Sequence, residues 1–249
     1  MTQLTSEGFQ NFWTYFNDEG HQVAAVQNLF EAMPPELLDE SAEWVRIYRN
    51  PPEPSPGEKV EGPVTPSLMG RYSGHAASSF DAVFCNDFNN LLKITGFDKD
   101  LTAFQMLIAQ MAHETANWVY MKEIGSDAYF TSMYENRRDL GNTQPGDGAR
   151  FSGCGAIQVT GRANTQASYD YLVKMTGLND PNVMEIGTPH NSVYYPFSIC
   201  IGWLLNNNYL EVCKTGDIEY ATRILNGGYN GLEDRRHWHN KAKAIITSI

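Results

Sequence analysis

Between residues 101 and 114, Phe104, Leu107, Ile108 and Met111 recur three and four positions apart. That interval places them on one face of an α-helix. Asp100 or Thr102 stands where a side-chain oxygen can accept a first-turn amide and cap the helix. The stripe runs directly into His113-Glu114. Further apolar helical stretches are predicted from about Pro196 to Asn206 and from near Asp234 to Ile246. Five glycines and a proline between Gly141 and Gly155 interrupt any period and predict a loop. Near the start, Val23, Val26, Leu29 and Phe30 keep helical spacing ahead of Pro34-Pro35, and a second short helix is predicted from Leu37 to Ile47. No series of segments alternates apolar with polar positions as strands would. The pattern is that of a mainly α protein.

Six of the twelve prolines fall between Pro51 and Pro66. Proline fixes an extended backbone and removes amide donors, so this stretch predicts a semi-rigid linker or surface strap. It divides the chain into a small helical accessory region (1–50), a Pro-rich linker (51–66) and a larger helical domain (67–249).

Charge sharpens that division. The formal net charge is −11, and residues 1–62 carry eleven acidic against three basic side chains, a net of −8. An acidic head is unsuited to nucleic acid, whose binding needs clustered Lys and Arg to displace counterions. Cys85, Cys154, Cys200 and Cys213 make no CxxC pair, which predicts buried, reduced thiols and no zinc knuckle. The first residues lack the basic and apolar regions of a secretory signal, and no run approaches 18 apolar residues, so neither export through a signal peptide nor a membrane span is expected.

Candidate chemistry gathers around Glu114. His113-Glu114 first suggests a zinc protease helix, but that motif needs a second histidine four residues after the first, and position 117 is Asn117. No metal and no cofactor is expected. A carboxyl closing an apolar helix can be partly desolvated, which raises its pKa and suits it to donate a proton to a glycosidic oxygen. Glycosidases usually need a second carboxyl. Glu123 lies nine residues on; along one straight helix the two would face opposite sides, about 13 Å apart along the axis. The helix must therefore break between Trp118 and Glu123 for the pair to work. Glu135, in YENRRD, competes for the second role, and Tyr134 beside it is a candidate substrate contact. Cys154 with His190 or His237 would be an alternative nucleophilic site. His237 and His239 flank Trp238 but, as alternate residues, do not share a helix face.

The segments AHETANWVYMKE, YENRRDLGNTQPGDGARFSGCGAIQVTGRAN and ILNGGYNGLEDRR, in this order over roughly residues 75–249, resemble the family 19 glycoside hydrolases. That family comprises lysozyme-like chitinases and related phage endolysins. The resemblance implies a lysozyme-like bilobal helical domain with a central cleft. It implies Glu114 as general acid and Glu123 as general base of an inverting reaction, with Thr160 helping to hold the attacking water. Gln158, Asn164 and Asn226 match substrate-binding positions, and Arg235 matches an arginine expected to favour the ionised base. The short spacing from Glu114 to Glu123 resembles the endolysin branch. The implied partner is then peptidoglycan, or a chitin-like polysaccharide, reached without a signal peptide through a holin or on a virion, with residues 1–50 as a possible wall or virion contact. An inactive virion or wall-binding component is the non-enzymatic alternative. One departure stands out: Cys154 replaces a family arginine, and a thiol replaces none of a guanidinium's donors well.

Overall fold

The structure, a computed structural model, describes residues 59–249. The expected helices at 1–50 and the first half of the Pro-rich stretch lie outside the described residues. Within them the protein is mainly α. Twelve helices follow in order: α1 Pro66–Ser73, α2 Ala82–Thr95, α3 Leu101–Glu114, α4 Asp127–Tyr134, α5 Asp147–Arg150, α6 Arg162–Thr176, α7 Asn182–Glu185, α8 Thr188–Tyr194, α9 Ile201–Asn206, α10 Tyr209–Lys214, α11 Ile218–Asn226 and α12 Leu232–Ile245. No strand is present among the described residues, only isolated bridges joining Cys154 to Lys122 and to Val159. No described helix is long and apolar enough to cross a membrane.

Helix α3 is the axis of the core. Asp100 caps it by accepting the Ala103 amide at 2.9 Å, and every residue from Ala103 to Ala112 is buried. It is surrounded rather than half-covered: α12 and α10 pack along it. Two buried glutamines tie it to its neighbours. Gln105 donates to the Ile246 carbonyl at 2.7 Å, and Gln110 donates to the Thr222 hydroxyl at 3.1 Å. Burial of such amides is tolerated because each finds a partner.

Beside α3 lies an aromatic cluster. Phe88 and Phe197 stack with ring centroids 4.2 Å apart, and Phe84 meets Phe197 edge-on at 4.8 Å. Trp118 completes the cluster, 8% exposed, with Phe88 at 6.1 Å and Tyr72 at 6.3 Å. Asp87 accepts the Phe197 and Ser198 amides at 2.7 and 3.1 Å, fixing the turn that carries Phe197.

The segment from α4 to the start of α6 is organised by polar contacts. Asp147, fully buried, accepts the amides of Thr143 and Gln144 and a two-pronged bond from Arg162 at 2.9 and 2.6 Å. Such charge-assisted pairs fix geometry as well as energy, and they hold the Asp147 carboxyl below its ordinary pKa. Arg162 also lies over the Phe151 ring at 4.7 Å. Asn142 bridges the Tyr134 carbonyl and the Arg162 amide at 2.9 and 2.8 Å. The glycine-rich stretch expected to be loop therefore contains a short helix, α5, and this ionic centre holds it in place.

Candidate active site

Glu114 is the last residue of α3. The chain then leaves the helix by an unusual route. Ala116, Asn117 and Trp118 have φ of 48°, 62° and 71°, three consecutive non-glycine residues in the left-handed region. For L-residues this costs about 1–2 kcal/mol each, so the surroundings must impose it. Buried Thr115 does so. Its hydroxyl donates to the Met111 carbonyl and accepts the Trp118 amide, both at 2.8 Å. Its carbonyl accepts the amides of Val119 and Tyr120 at 3.0 and 2.9 Å. The aromatic cluster that receives Trp118 supplies compensation, since such ring pairs contribute about 0.5–1.5 kcal/mol each beyond simple burial. The sequence predicted a break between Trp118 and Glu123. It falls earlier, directly after Glu114, and no glycine marks it.

The two ends of this reversal carry the two carboxyls. Glu114 is 18% exposed at its side chain and accepts from Arg235, which is completely buried. Arg235 also donates to Gln110 and, at 3.1 Å, to the Asn230 carbonyl. The guanidinium thus supports the Glu114 end of the pair, whereas the family resemblance implied support for the base. Next to it, His113 Nδ1 lies 2.7 Å from Asp234 Oδ2. Adjacent His113-Glu114 on α3 therefore meet adjacent Asp234-Arg235 on α12. Gly231 allows that approach: a Cβ there would stand 2.0 Å from the His113 ring.

Glu123 sits in a separate cradle. Its Oε1 accepts from the Tyr134 hydroxyl at 2.9 Å, and its Oε2 accepts the Gly153 amide at 3.0 Å. Its own amide donates to the Gly153 carbonyl at 2.8 Å. Burial and the adjacent Glu123 carboxylate push the Tyr134 phenol up to about 12, so it remains a donor at neutral pH. The bare Cα of Gly153 leaves room for both side chains: a Cβ would meet Gln158 Oε1 at 2.8 Å and Glu123 Oε2 at 3.0 Å and displace their ends. Gln158, itself at φ 55°, thus lies beside Glu123 and donates to the Gly155 carbonyl at 3.1 Å. The Thr160 hydroxyl donates to the Gln158 carbonyl at 3.1 Å, and Asn164 donates to the Thr160 carbonyl at 2.9 Å. The structure therefore links Glu123, Tyr134, Gln158, Thr160 and Asn164 in one chain of contacts, and Glu114 with Arg235 in another. Asn226 ends α11, exposed, with no described contact to either group.

Glu135 has a different task. Its two oxygens accept the Gly146 and Gly148 amides at 2.8 and 2.7 Å, holding the start of α5. Cys154 is 1% exposed, and burial pushes its thiol far above the ordinary value, so it is a neutral core residue rather than a nucleophile. His190 is engaged with Asp180 at 2.8 Å, and His237 is exposed while His239 is buried. No group of three metal-binding side chains is present among the described residues. Thr115, Gln110, Gly153 and the Asp147–Arg162 pair were not singled out from the sequence. The signals available for them were a threonine beside the acid and a glycine inside the long loop motif.

No family model matches the chain. The solved structures similar to it include two forms of one chitinase. A chitinase C mutant has a TM-score of 0.49 at 16% identity, covering 77% of this chain and 96% of its own. Chitinase C from Streptomyces griseus has a TM-score of 0.47 at 14% identity, covering 74% and 93%. Among curated proteins, a glycosyl hydrolase family 19 domain-containing protein of Haemophilus influenzae is 29% identical over 103 residues, 41% of this chain. The match spans less than half, 46%, of that relative's length. By sequence the chain is thus similar to a family 19 glycoside hydrolase domain protein, the family that its own motifs resemble.

Proposed function

We propose that this protein is a glycoside hydrolase that cleaves β-1,4 bonds between amino sugars of peptidoglycan, with inversion at the anomeric carbon. The observation that carries the reading is the pair of separately cradled carboxyls, Glu114 and Glu123, at the two ends of one tight reversal. Glu114 protonates the leaving glycosidic oxygen as its bond to the anomeric carbon breaks. Glu123 takes a proton from a water that attacks that carbon from the opposite face. The new carbon–oxygen bond completes hydrolysis, and Arg235 stabilises the carboxylate left on Glu114. Tyr134 and the Gly153 amide hold Glu123 aimed at the water, and Gln158, Thr160 and Asn164 border the water and the sugar.

The short Glu114–Glu123 spacing resembles the endolysin branch rather than long-looped plant chitinases, and with it we read peptidoglycan as the substrate and an endolysin or virion-associated role. In that role the protein reaches the wall through a holin pore or on a virion, with residues 1–50 contacting wall or virion. Mass spectrometry of digests of purified peptidoglycan and of chitin tests this. Wall-derived muropeptide fragments from the wild type, absent with Glu114→Gln, are expected. Oligomers from chitin alone would make it a chitinase. Fragments from neither substrate, or equal digestion by Glu114→Gln, would refute the assignment.

A further inference from the structure

The stretch between the two acids is short, strained and unusually well fastened. Thr115, fully buried, makes bonds with both its hydroxyl and its carbonyl that turn the chain back on α3. The Asn117 amide donates to the Ala112 carbonyl at 2.7 Å. Its side chain donates to the Ser73 carbonyl at 3.1 Å, and His75 Nε2 lies 3.1 Å from the Asn117 carbonyl oxygen. The end of α1 therefore grips the apex of the turn from outside. On the far side, the Met121 carbonyl accepts the Gly155 amide at 2.7 Å, just before the Glu123 cradle. Neither carboxyl is touched by Thr115 or Asn117 in any described contact, so these residues can act on the chemistry only by fixing where its groups stand.

We infer that Thr115–Tyr120 is a preset left-handed spacer that fixes the placement of Glu123 relative to Glu114, with Thr115 and Asn117 as its positioning residues. The inference rests on the two-carboxyl reading of the site. Three consecutive left-handed residues have few alternative conformations once their amides are bonded, so the spacer has one length. An inverting hydrolysis needs that constancy, because the gap must admit one water and the reaction loses about 100-fold for a misplacement of about 1 Å.

The test compares Thr115→Val, Thr115→Ser and Asn117→Gly with the wild type. Valine keeps the shape of threonine and removes both hydroxyl bonds. Serine retains them. Glycine keeps the left-handed backbone at 117 and removes the tether to Ser73, so this variant folds even if Thr115→Val does not. In Thr115→Val, kcat on peptidoglycan is expected to fall roughly 100-fold with KM within about twofold, and Thr115→Ser to stay within about threefold of wild type. Asn117→Gly is expected to lose about tenfold in kcat. Crystal structures of the variants provide a readout independent of activity: the carboxyl of Glu123 is expected to move about 1 Å or more relative to Glu114 in Thr115→Val. If the folded Thr115→Val and Asn117→Gly proteins keep wild-type kcat and an unmoved Glu123, the spacer inference fails. An inactive wild type with the carboxyl displaced in Thr115→Val would sink the hydrolase reading and leave the spacer standing. An inactive wild type with no displacement would sink both.

Discussion

Two buried titratable groups should give this protein opposing pH dependences that nearly cancel. Asp87 is 6% exposed, and burial raises its carboxyl from 3.8 to about 6 despite its bonds to Ser198 and Phe197. Its folded pKa exceeds the unfolded one, so the folded state holds the extra proton. Its contribution is fully present below about pH 4 and is lost as pH rises to about 6. His239 is also 6% exposed, and burial, aided by Lys243, lowers its pKa from 6.5 to about 4. Here the unfolded state holds the extra proton, so stability is intact above about pH 6.5 and is lost as pH falls towards 4. Each change corresponds to about 3 kcal/mol of stability. In the wild type the two slopes offset one another across pH 4–6.5. Asp87→Asn should unmask the histidine: unfolding free energy from urea titrations should climb by about 3 kcal/mol, relative to wild type, from pH 4 to 6.5. His239→Leu should unmask the aspartate and give a relative fall of similar size. Only slopes are compared, so the offset caused by repacking each site does not matter. Three parallel stability curves would refute the reasoning.

Two further outcomes follow from local geometry. Gly153→Ala forces a Cβ against Gln158 Oε1 and Glu123 Oε2, and should cost about 100-fold in kcat while the circular dichroism spectrum is unchanged. Ala116→Gly removes the left-handed penalty at φ 48°; after the extra unfolded-state entropy of glycine, it should stabilise by about 1 kcal/mol and raise Tm by about 2–4 °C in a thermal melt.

Much of the helical body was legible because its signals are local. The Phe104–Met111 stripe and the Asp100 cap lead into α3 as expected, and the C-terminal helix, α12, begins two residues before Asp234. The stretch near 196–206 is a short 3-10 turn at Ser198–Cys200 followed by α9. The route out of α3 was not legible. Ala, Asn and Trp carry no signal for three left-handed residues, and the conformation is imposed by Thr115, Ser73, His75 and an aromatic pocket assembled from distant segments. The same holds for Glu135, whose commitment to the Gly146 and Gly148 amides depends on loop closure that spacing does not encode. Arg235 was singled out through family resemblance, but its partner could be read only from the packing of α12 on α3. Cys154 shows the converse. The residue departs from the family pattern, and the fold explains what it does here: it fills a buried bridge position between Lys122 and Val159.

The roles given to Glu114 and Glu123 are tested most directly by the anomeric configuration of the first product. A soluble β-linked amino-sugar oligomer can be digested in an NMR tube and the new reducing end followed before it mutarotates. Attack by a Glu123-activated water on the face opposite the leaving group predicts that the α-anomer appears first. Initial formation of the β-anomer would contradict the account, because retention requires two successive displacements at the anomeric carbon instead of the single attack by water proposed here.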